Sequence, residues 1–182
     1  LVQLPNSLLI DLENGSDYVS GRILKANSVE DIRAIGKAIE EAGKPYKYII
    51  IDTITKLEEV VLPYAELLYS KTLPGKNWFT QGKAQYGSLL ALPNGSGYAP
   101  LRLGFEKVIS YINTLAENII LVGHVKDKMI DKAGAEFSAL DLDLTGKISR
   151  ITAANSDAIG YLHRVKGTQN YLSFMSGDEV AC

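Results

Sequence analysis

Cysteine is nearly absent from this chain of 182 residues, and the single one, Cys182, is the last residue. A disulfide framework is therefore excluded, and the cysteine content suits a reducing compartment such as the cytoplasm. The sequence also lacks any apolar run of about 18 residues, the length that a membrane-spanning helix requires. We therefore expect a cytoplasmic location and no membrane partner.

An excess of one charge is missing too, since 19 Lys and Arg residues stand against 21 Asp and Glu residues, for a net charge of −2. The bulk charge thus does not indicate a nucleic-acid or membrane-surface partner. What is present is a globular composition with 46% hydrophobic and 22% charged residues, which excludes a disordered chain. The length predicts a single domain over residues 1–182, and the start at Leu1 in mid-pattern leads us to expect a fragment truncated at both ends.

Three apolar runs have the pattern of buried strands, namely Ser7–Asp11, Tyr48–Asp52 and Asn118–Gly123. Continuous β-branched runs of this kind are typical of parallel sheets that helices cover on both faces. Between the first two runs, Ser28 and Asp31 have the spacing of a helix start. The sequence therefore predicts an α/β fold with a mostly parallel central sheet and flanking helices.

Two other regions depart from this alternation. Residues 70–100 are rich in Gly, Pro, Asn and Ser, and we interpret them as a long connection that is functional or mobile. Near the end, two short apolar segments flank Lys166-Gly167-Thr168 and predict a C-terminal β-hairpin. Before the third strand, an apolar face at helical spacing predicts a helix through Leu101, Phe105, Val108, Ile112 and Leu115.

Polar residues follow each predicted strand at its carboxyl end, where ligands bind in open α/β sheets. Asp52 and Thr53 end one strand, Glu13 follows another, and His124 follows the third. Pairing of the first two strands would set Glu13 beside Asp52, and a carboxylate is the oxygen ligand that Mg²⁺ prefers. The alternatives are that Asp52 caps a helix or a turn, that Asp11 and Glu13 are solvated loop acids, and that His124 binds a backbone carbonyl.

The strand that ends in Asp52-Thr53 resembles the Walker B strand of P-loop NTPases, and the order of the acids resembles the RecA-like ATPases. The ordered combination is similar to the phage-encoded RecA-like ATP-binding proteins, close to the Sak-type single-strand annealing recombinases. It extends over Ser7–Tyr18, Tyr48–Leu57, Phe79–Tyr86, Asn118–Lys128 and Thr145–Tyr161. The resemblance implies a RecA-like P-loop NTPase core, ATP with magnesium as cofactors, and a role in phage DNA recombination or replication within the host cytoplasm.

The same resemblance implies a role for each residue at the strand ends. Asp52, with Thr53, would hold magnesium through water, and Glu13 would polarise the attacking water. His124 would sense the γ-phosphate, since an imidazole can donate a hydrogen bond to a phosphate oxygen.

Basic residues are further candidates for phosphate contact. Lys126 follows the third strand, and its alternation with Lys128 would direct both to one side if the strand continues. Lys147 and Arg150 are the candidates for a basic residue supplied by a neighbouring subunit in a homo-oligomer. The alternative is that these are solvated surface charges.

The phosphate-binding motif G-x-x-x-x-G-K-[S/T] occurs nowhere in the 182 residues. Its nearest approach, Gly146-Lys147-Ile148-Ser149, has the hydroxyl one residue too late. Losing three or four charge-assisted hydrogen bonds removes on the order of 5–10 kcal/mol of binding free energy. We therefore expect the phosphate loop upstream of residue 1, and expect that this chain alone neither binds ATP tightly nor hydrolyses it.

No Asp or Glu occurs between Leu67 and Phe105, although the stretch carries four cations and several aromatic residues. Cations along a phosphate backbone and rings that stack on bases are the elements of single-stranded DNA binding. The predicted DNA-binding residues are Lys71, Lys76, Trp78, Phe79, Lys83 and Arg102. The alternatives are that the aromatic residues pack on the core or on a neighbouring protomer, and that the whole chain is a binding or assembly module without ATPase activity.

Overall fold

The computed structural model describes residues 1–80, 89–132, 135–165, 167 and 169–174. The chain divides into two compact units, Leu1–His124 and Val125–Cys182. A single domain over residues 1–182 stays a prediction. Among the described helices, none combines the length and the apolar content that crossing a membrane would require.

The first unit is built on a parallel sheet of four described strands in the order β2-β1-β3-β4. The strands are β1 (Ser7–Asp11), β2 (Ile23–Lys25), β3 (Tyr48–Asp52) and β4 (Asn118–Val122). All five residues of β1 are buried, and Ile49, Ile50 and Ile51 of β3 have no exposed surface. The predicted α/β fold with a parallel central sheet is confirmed, and the middle residues of both central strands form the continuous buried apolar runs that such sheets require.

The helices of this unit are α1 (Val29–Glu41), α2 (Ile54–Ser70), α3 (Leu73–Thr80) and α4 (Tyr98–Ile112). The predicted start of α1 is confirmed, since the Ser28 hydroxyl accepts the Asp31 N–H at 3.1 Å. The Asp31 carboxylate in turn accepts the Asn27 N–H at 2.9 Å. Two donors at the helix start are thus satisfied by side chains of the same turn.

Helices α2 and α4 pack closely because a glycine stands where they meet. A Cβ on Gly104 would lie 3.1 Å from the Cβ of Ala65 and 3.2 Å from a methyl of Val61. Both of these α2 residues are fully buried. The predicted apolar face of α4 is confirmed, with Leu101 and Phe105 among its buried residues.

The second unit contains two antiparallel hairpins and a short helix. Strands β5 (Val125–Lys132) and β6 (Ala135–Leu142) form one hairpin, and β7 (Tyr161–Val165) and β8 (Gln169–Ser173) form the other. Helix α5 (Ile148–Ala154) lies between them in sequence. The C-terminal hairpin is confirmed, with Tyr161 opposite Ser173.

The interpretation of residues 70–100 as one long connection is wrong for the described part. Helix α3 occupies Leu73–Thr80, and short 3₁₀ turns occupy Leu89–Ala91 and Pro93–Gly95. Thr72 begins α3, because its hydroxyl accepts the Gly75 N–H at 3.1 Å. Pro74 and Gly75 lie in the first turn of α3, Pro93 begins a 3₁₀ turn and Gly97 precedes α4, so these residues stand at the starts of short helical segments.

We predict that Gly104→Val lowers the free energy of unfolding by about 1–3 kcal/mol, because its side chain overpacks the contact with Ala65 and Val61. Thermal denaturation followed by circular dichroism would show a fall of several degrees. Leu103→Val is the matched control, since Leu103 is the preceding residue of α4 and is 49% exposed. Helix propensity favours Val over Gly and so cannot explain a loss in Gly104→Val. An equal loss in both variants would mean that a β-branched residue destabilises α4 at either position, and it would contradict the packing argument.

Candidate functional site

The carboxyl ends of β1 and β3 meet at one edge of the sheet. Asp11 is the register partner of Asp52, and Asp52 is the register partner of Val122 in β4. The residues that follow these strands, Glu13 and His124 among them, are therefore delivered to the same edge. The predicted convergence of the strand ends is confirmed.

Asp11 organises the turn after β1. Asp11 is only 1% exposed. Its carboxylate accepts hydrogen bonds from the backbone N–H groups of Glu13 at 3.0 Å, Asn14 at 2.8 Å and Ser16 at 3.1 Å. The Ser16 hydroxyl donates a further hydrogen bond to it. Burial raises the pKa of Asp11, but these hydrogen bonds, led by those from Ser16, outweigh it and hold the pKa below its ordinary value. Asp11 is therefore not a solvated loop acid but the charged anchor of the turn that carries Glu13.

Glu13 is held from two sides. The Thr53 hydroxyl donates to its Oε1 at 2.6 Å, and Nε2 of His124 lies 3.0 Å from the same oxygen. The hydrogen bond from Thr53, followed by those to His124, lowers the pKa of Glu13 despite the opposing effect of burial. With 38% of its side chain exposed, Glu13 is an ionised carboxylate that solvent can reach.

Thr53 links the acid to helix α2. Its hydroxyl accepts the Lys56 N–H at 3.2 Å as the cap of the helix while donating to Glu13. A hydroxyl can do both at once, because it carries one hydrogen and two lone pairs. Thr53 is 3% exposed, and the peptide bond between Asp52 and Thr53 is cis.

Asp52 experiences the negative charge of its neighbours. Burial first, and then the charges of Glu13 and Asp11, raise the pKa of its carboxyl above the ordinary value. A bound cation would relieve this repulsion, and the nearby donors are the oxygen ligands that Mg²⁺ prefers. In the described ranges, no cluster of three or more His, Cys, Asp or Glu residues is arranged to hold a metal ion. The donor set fits magnesium held by one carboxylate together with water and phosphate, as is usual beside nucleotides.

The imidazole ring of His124 contacts the carboxylate of Glu13. Its backbone N–H donates to the Thr55 hydroxyl at 3.1 Å, which fixes the chain where β4 ends. The ring meets Glu13 rather than a backbone carbonyl, and 58% of the side chain is exposed. Because ionised Glu13 can only accept hydrogen bonds, Nε2 of His124 carries the proton between them.

A pocket of about 330 Å³ opens at this edge. Sequence reasoning missed three residues of its lining, Thr55, Lys56 and Glu59, which stand on the first turns of α2. Lys56 and Glu59 form an ion pair across one turn. The available signal was the capping pattern Thr53-Ile54-Thr55-Lys56, which starts a helix directly after the strand.

The other predicted nucleotide-site residues lie in the second unit. Lys126 is on β5, where its ammonium donates to the Leu144 carbonyl at 2.8 Å and lies 3.3 Å from the Asp143 carboxylate. The predicted continuation of the strand through Lys126 and Lys128 is confirmed. Lys147 and Arg150 are exposed at the start of α5.

Of the predicted DNA-binding residues, Lys71 caps the end of α2 and Lys76 and Trp78 lie on α3. Arg102 is on α4, 3.9 Å from the carboxylate of Glu106. Lys83 and the side chain of Phe79 lie outside the described residues.

Comparison with known proteins agrees with this geometry. A family model described as an AAA domain (AAA_24) matches residues 1–181, and no curated protein matches the chain. The match extends over almost the whole sequence and, with the parallel sheet and its acidic carboxyl edge, supports a P-loop NTPase-like core. The chain therefore belongs to the AAA domain family.

Proposed function

We propose that the chain is part of a nucleotide-binding ATPase domain, that it supplies the residues that hold magnesium and orient water at the carboxyl edge of its sheet, and that the full-length parent hydrolyses ATP there. The observation that carries the proposal is the position of Glu13. Its ionised carboxylate lines the pocket, is held by Thr53 and His124, and acts through its charge on the half-buried Asp52. Membership of the AAA domain family supports nucleotide binding by this fold.

In the proposed mechanism each side chain has one task. Asp52 would hold magnesium through water, and the bound ion would supply charge neutralisation for the phosphates. Glu13, kept ionised by its hydrogen bond from Thr53, accepts a hydrogen bond from the attacking water and orients it. His124 donates its Nε2 proton either to Glu13 or to a phosphate oxygen, which gives it the proposed sensor role.

The 182 residues contain no G-x-x-x-x-G-K-[S/T] motif. We therefore propose that they supply the residues that hold magnesium and orient water, and not the phosphate-binding loop. Lys126, Lys147 and Arg150 are the proposed basic contacts, from this or a neighbouring subunit of a homo-oligomer. The finer role that we propose is in phage DNA recombination or replication in the host cytoplasm, with single-stranded DNA as partner. The acid-free stretch between Leu67 and Phe105 supports the DNA contact.

We predict that Glu13→Gln reduces ATP hydrolysis at least about tenfold, because the amide accepts a hydrogen bond but cannot take a proton from water. The dissociation constant for ATP should change less than about threefold, since Glu13 orients water rather than phosphate. The measurement is steady-state phosphate release and calorimetric ATP binding by the product of the complete gene.

Glu59→Gln is the matched control, because Glu59 lines the same pocket but contacts Lys56 rather than Thr53 or His124. It should retain wild-type turnover. Wild-type turnover in Glu13→Gln would mean that another residue orients the water. A wild-type protein without magnesium-dependent hydrolysis would contradict the proposed function as a whole.

We predict that Asp52→Asn raises the magnesium concentration for half-maximal hydrolysis about tenfold, because an amide is a weaker ligand for Mg²⁺ than a carboxylate. Without magnesium, the same variant should be at least as stable as wild type. The reason is that an acid whose pKa is raised on folding destabilises the folded state when it is ionised at neutral pH. Magnesium titrations and thermal denaturation measure the two effects.

Asp17→Asn is the control for the removal of an acid, since Asp17 is exposed and paired with Lys25. An unchanged magnesium requirement in Asp52→Asn would exclude Asp52 as the ligand.

We predict that the double variant Lys71→Ala and Lys76→Ala weakens binding of a fluorescein-labelled oligothymidine. The logarithmic salt dependence should flatten by about 1.4, the value for two lost phosphate contacts on a single strand. Fluorescence anisotropy over a salt series measures both quantities. Lys37→Ala is the control, because Lys37 lies on α1 and pairs with Glu41. Equal affinity of the double variant and wild type would contradict the proposed DNA contact.

A further inference from the structure

A second pocket, of about 360 Å³, lies between helices α1, α2 and α4 of the first unit. It shares no lining residue with the pocket at Glu13. Its floor consists of Val29, Ile32 and Val108, which are all buried and belong to the core. The floor is therefore apolar and presents no side-chain hydrogen-bonding group to a ligand.

Two tyrosines form the walls of this pocket. Tyr111 lies directly against α1, because a Cβ on Gly36 would fall 2.3 Å from its hydroxyl oxygen. Burial, followed by the charge of Glu40, raises the pKa of Tyr111, so its hydroxyl stays protonated and can donate. The guanidinium of Arg33 lies over the ring of Tyr64, 4.8 Å from the ring centroid. This cation–π contact holds the arginine at the pocket.

The cations of the pocket differ from their neighbours on the same helices. In the part of the chain that the structure describes, no carboxylate forms an ion pair with Arg33 of α1 or Lys107 of α4. By contrast, Lys37 of α1 lies 3.6 Å from Glu41, and Arg102 of α4 lies 3.9 Å from Glu106. The pocket thus combines an apolar floor, aromatic walls and a rim of two cations without an acidic partner.

We propose that this pocket binds an acidic peptide segment of a partner protein, which inserts an apolar side chain between Tyr64 and Tyr111 and places a carboxylate at Arg33 and Lys107. The charge of the rim selects an anion, and the apolar floor selects the tip of an aliphatic or aromatic side chain. A nucleotide fits this lining less well, because the floor offers no group that would pair with the polar edge of a base. A peptide in which an apolar residue is flanked by Asp or Glu has both groups: an apolar side chain for the floor and a carboxylate for the cations of the rim.

The test begins with a displayed library of random heptapeptides, selected on the immobilised full chain. Peptides should be recovered that carry Asp or Glu within two positions of Leu, Phe or Trp. One recovered peptide is then synthesised with a fluorescent label and titrated by anisotropy. The double variant Arg33→Glu and Lys107→Glu should bind it at least about tenfold more weakly, because both rim charges are reversed.

The matched control is the double variant Lys37→Glu and Arg102→Glu, which makes the same charge change on the same two helices outside the pocket. It should bind the peptide within about twofold of wild type. Circular dichroism of both variants verifies that they are folded. Tyr64→Ser provides a second disruption of the pocket, because it keeps both cationic residues but removes the ring that holds Arg33. It should weaken binding as well.

Four outcomes would overturn the proposal. The first is that no acidic-apolar peptide is recovered, and the second is that both charge-reversal variants lose binding equally. The third is that the wild-type chain self-associates and that Arg33→Glu with Lys107→Glu abolishes this, which would make a second copy the occupant. The fourth is displacement of the peptide by oligothymidine, which would make the pocket a nucleic-acid contact.

Discussion

The parallel pairing of β1 with β3 is the constraint on which the site depends. It sets Asp11 opposite Asp52 at the end of two buried strands, so everything that follows either strand begins at one edge of the sheet. Because β1 and the centre of β3 are almost fully buried and both strands end in an acid, a shift in register would draw a carboxylate into the core or push an apolar residue out of it. The burial of isoleucines in the sheet therefore fixes where the carboxylates stand.

The three acids at this edge differ in their surroundings. Asp11, which is 1% exposed, is kept ionised by hydrogen-bond donors and anchors its turn. Glu13 is held by one hydroxyl and one imidazole, and it remains open to solvent. Asp52 has its pKa raised by burial and by both other acids, which leaves it the carboxyl that gains most from a cation. Three acids from adjacent strands thus have three different environments, and their proposed roles follow from them.

The parts of the structure that could be predicted were those with unambiguous local patterns. The run Ile49–Ile51 predicted a buried strand, and Ser28 with Asp31 predicted the start of α1.

Strand β2 was missed because a strand of three residues is too short to show a periodic pattern. The hairpin of β5 and β6 was missed because β5 contains consecutive charged residues, such as Lys126 and Asp127, and so lacks the apolar–polar alternation of a strand. Helix α2 was missed because its cap, Thr53, was interpreted only as a ligand, and Pro63 interrupts the helical pattern. The carboxylates at the edge were identified, whereas Thr55, Lys56 and Glu59 depend on the position of α2 and could not be placed without it.

The contact between His124 and Glu13 has a consequence for timing. A single Nε2 hydrogen cannot serve a carboxylate and a phosphate oxygen together, so a terminal phosphate that engages the imidazole frees one side of the glutamate. In the proposed mechanism, the acid that orients water would then become available only when the molecule to be cleaved is in place. The exchange of one side-chain hydrogen bond would couple the orientation of water to the presence of the terminal phosphate.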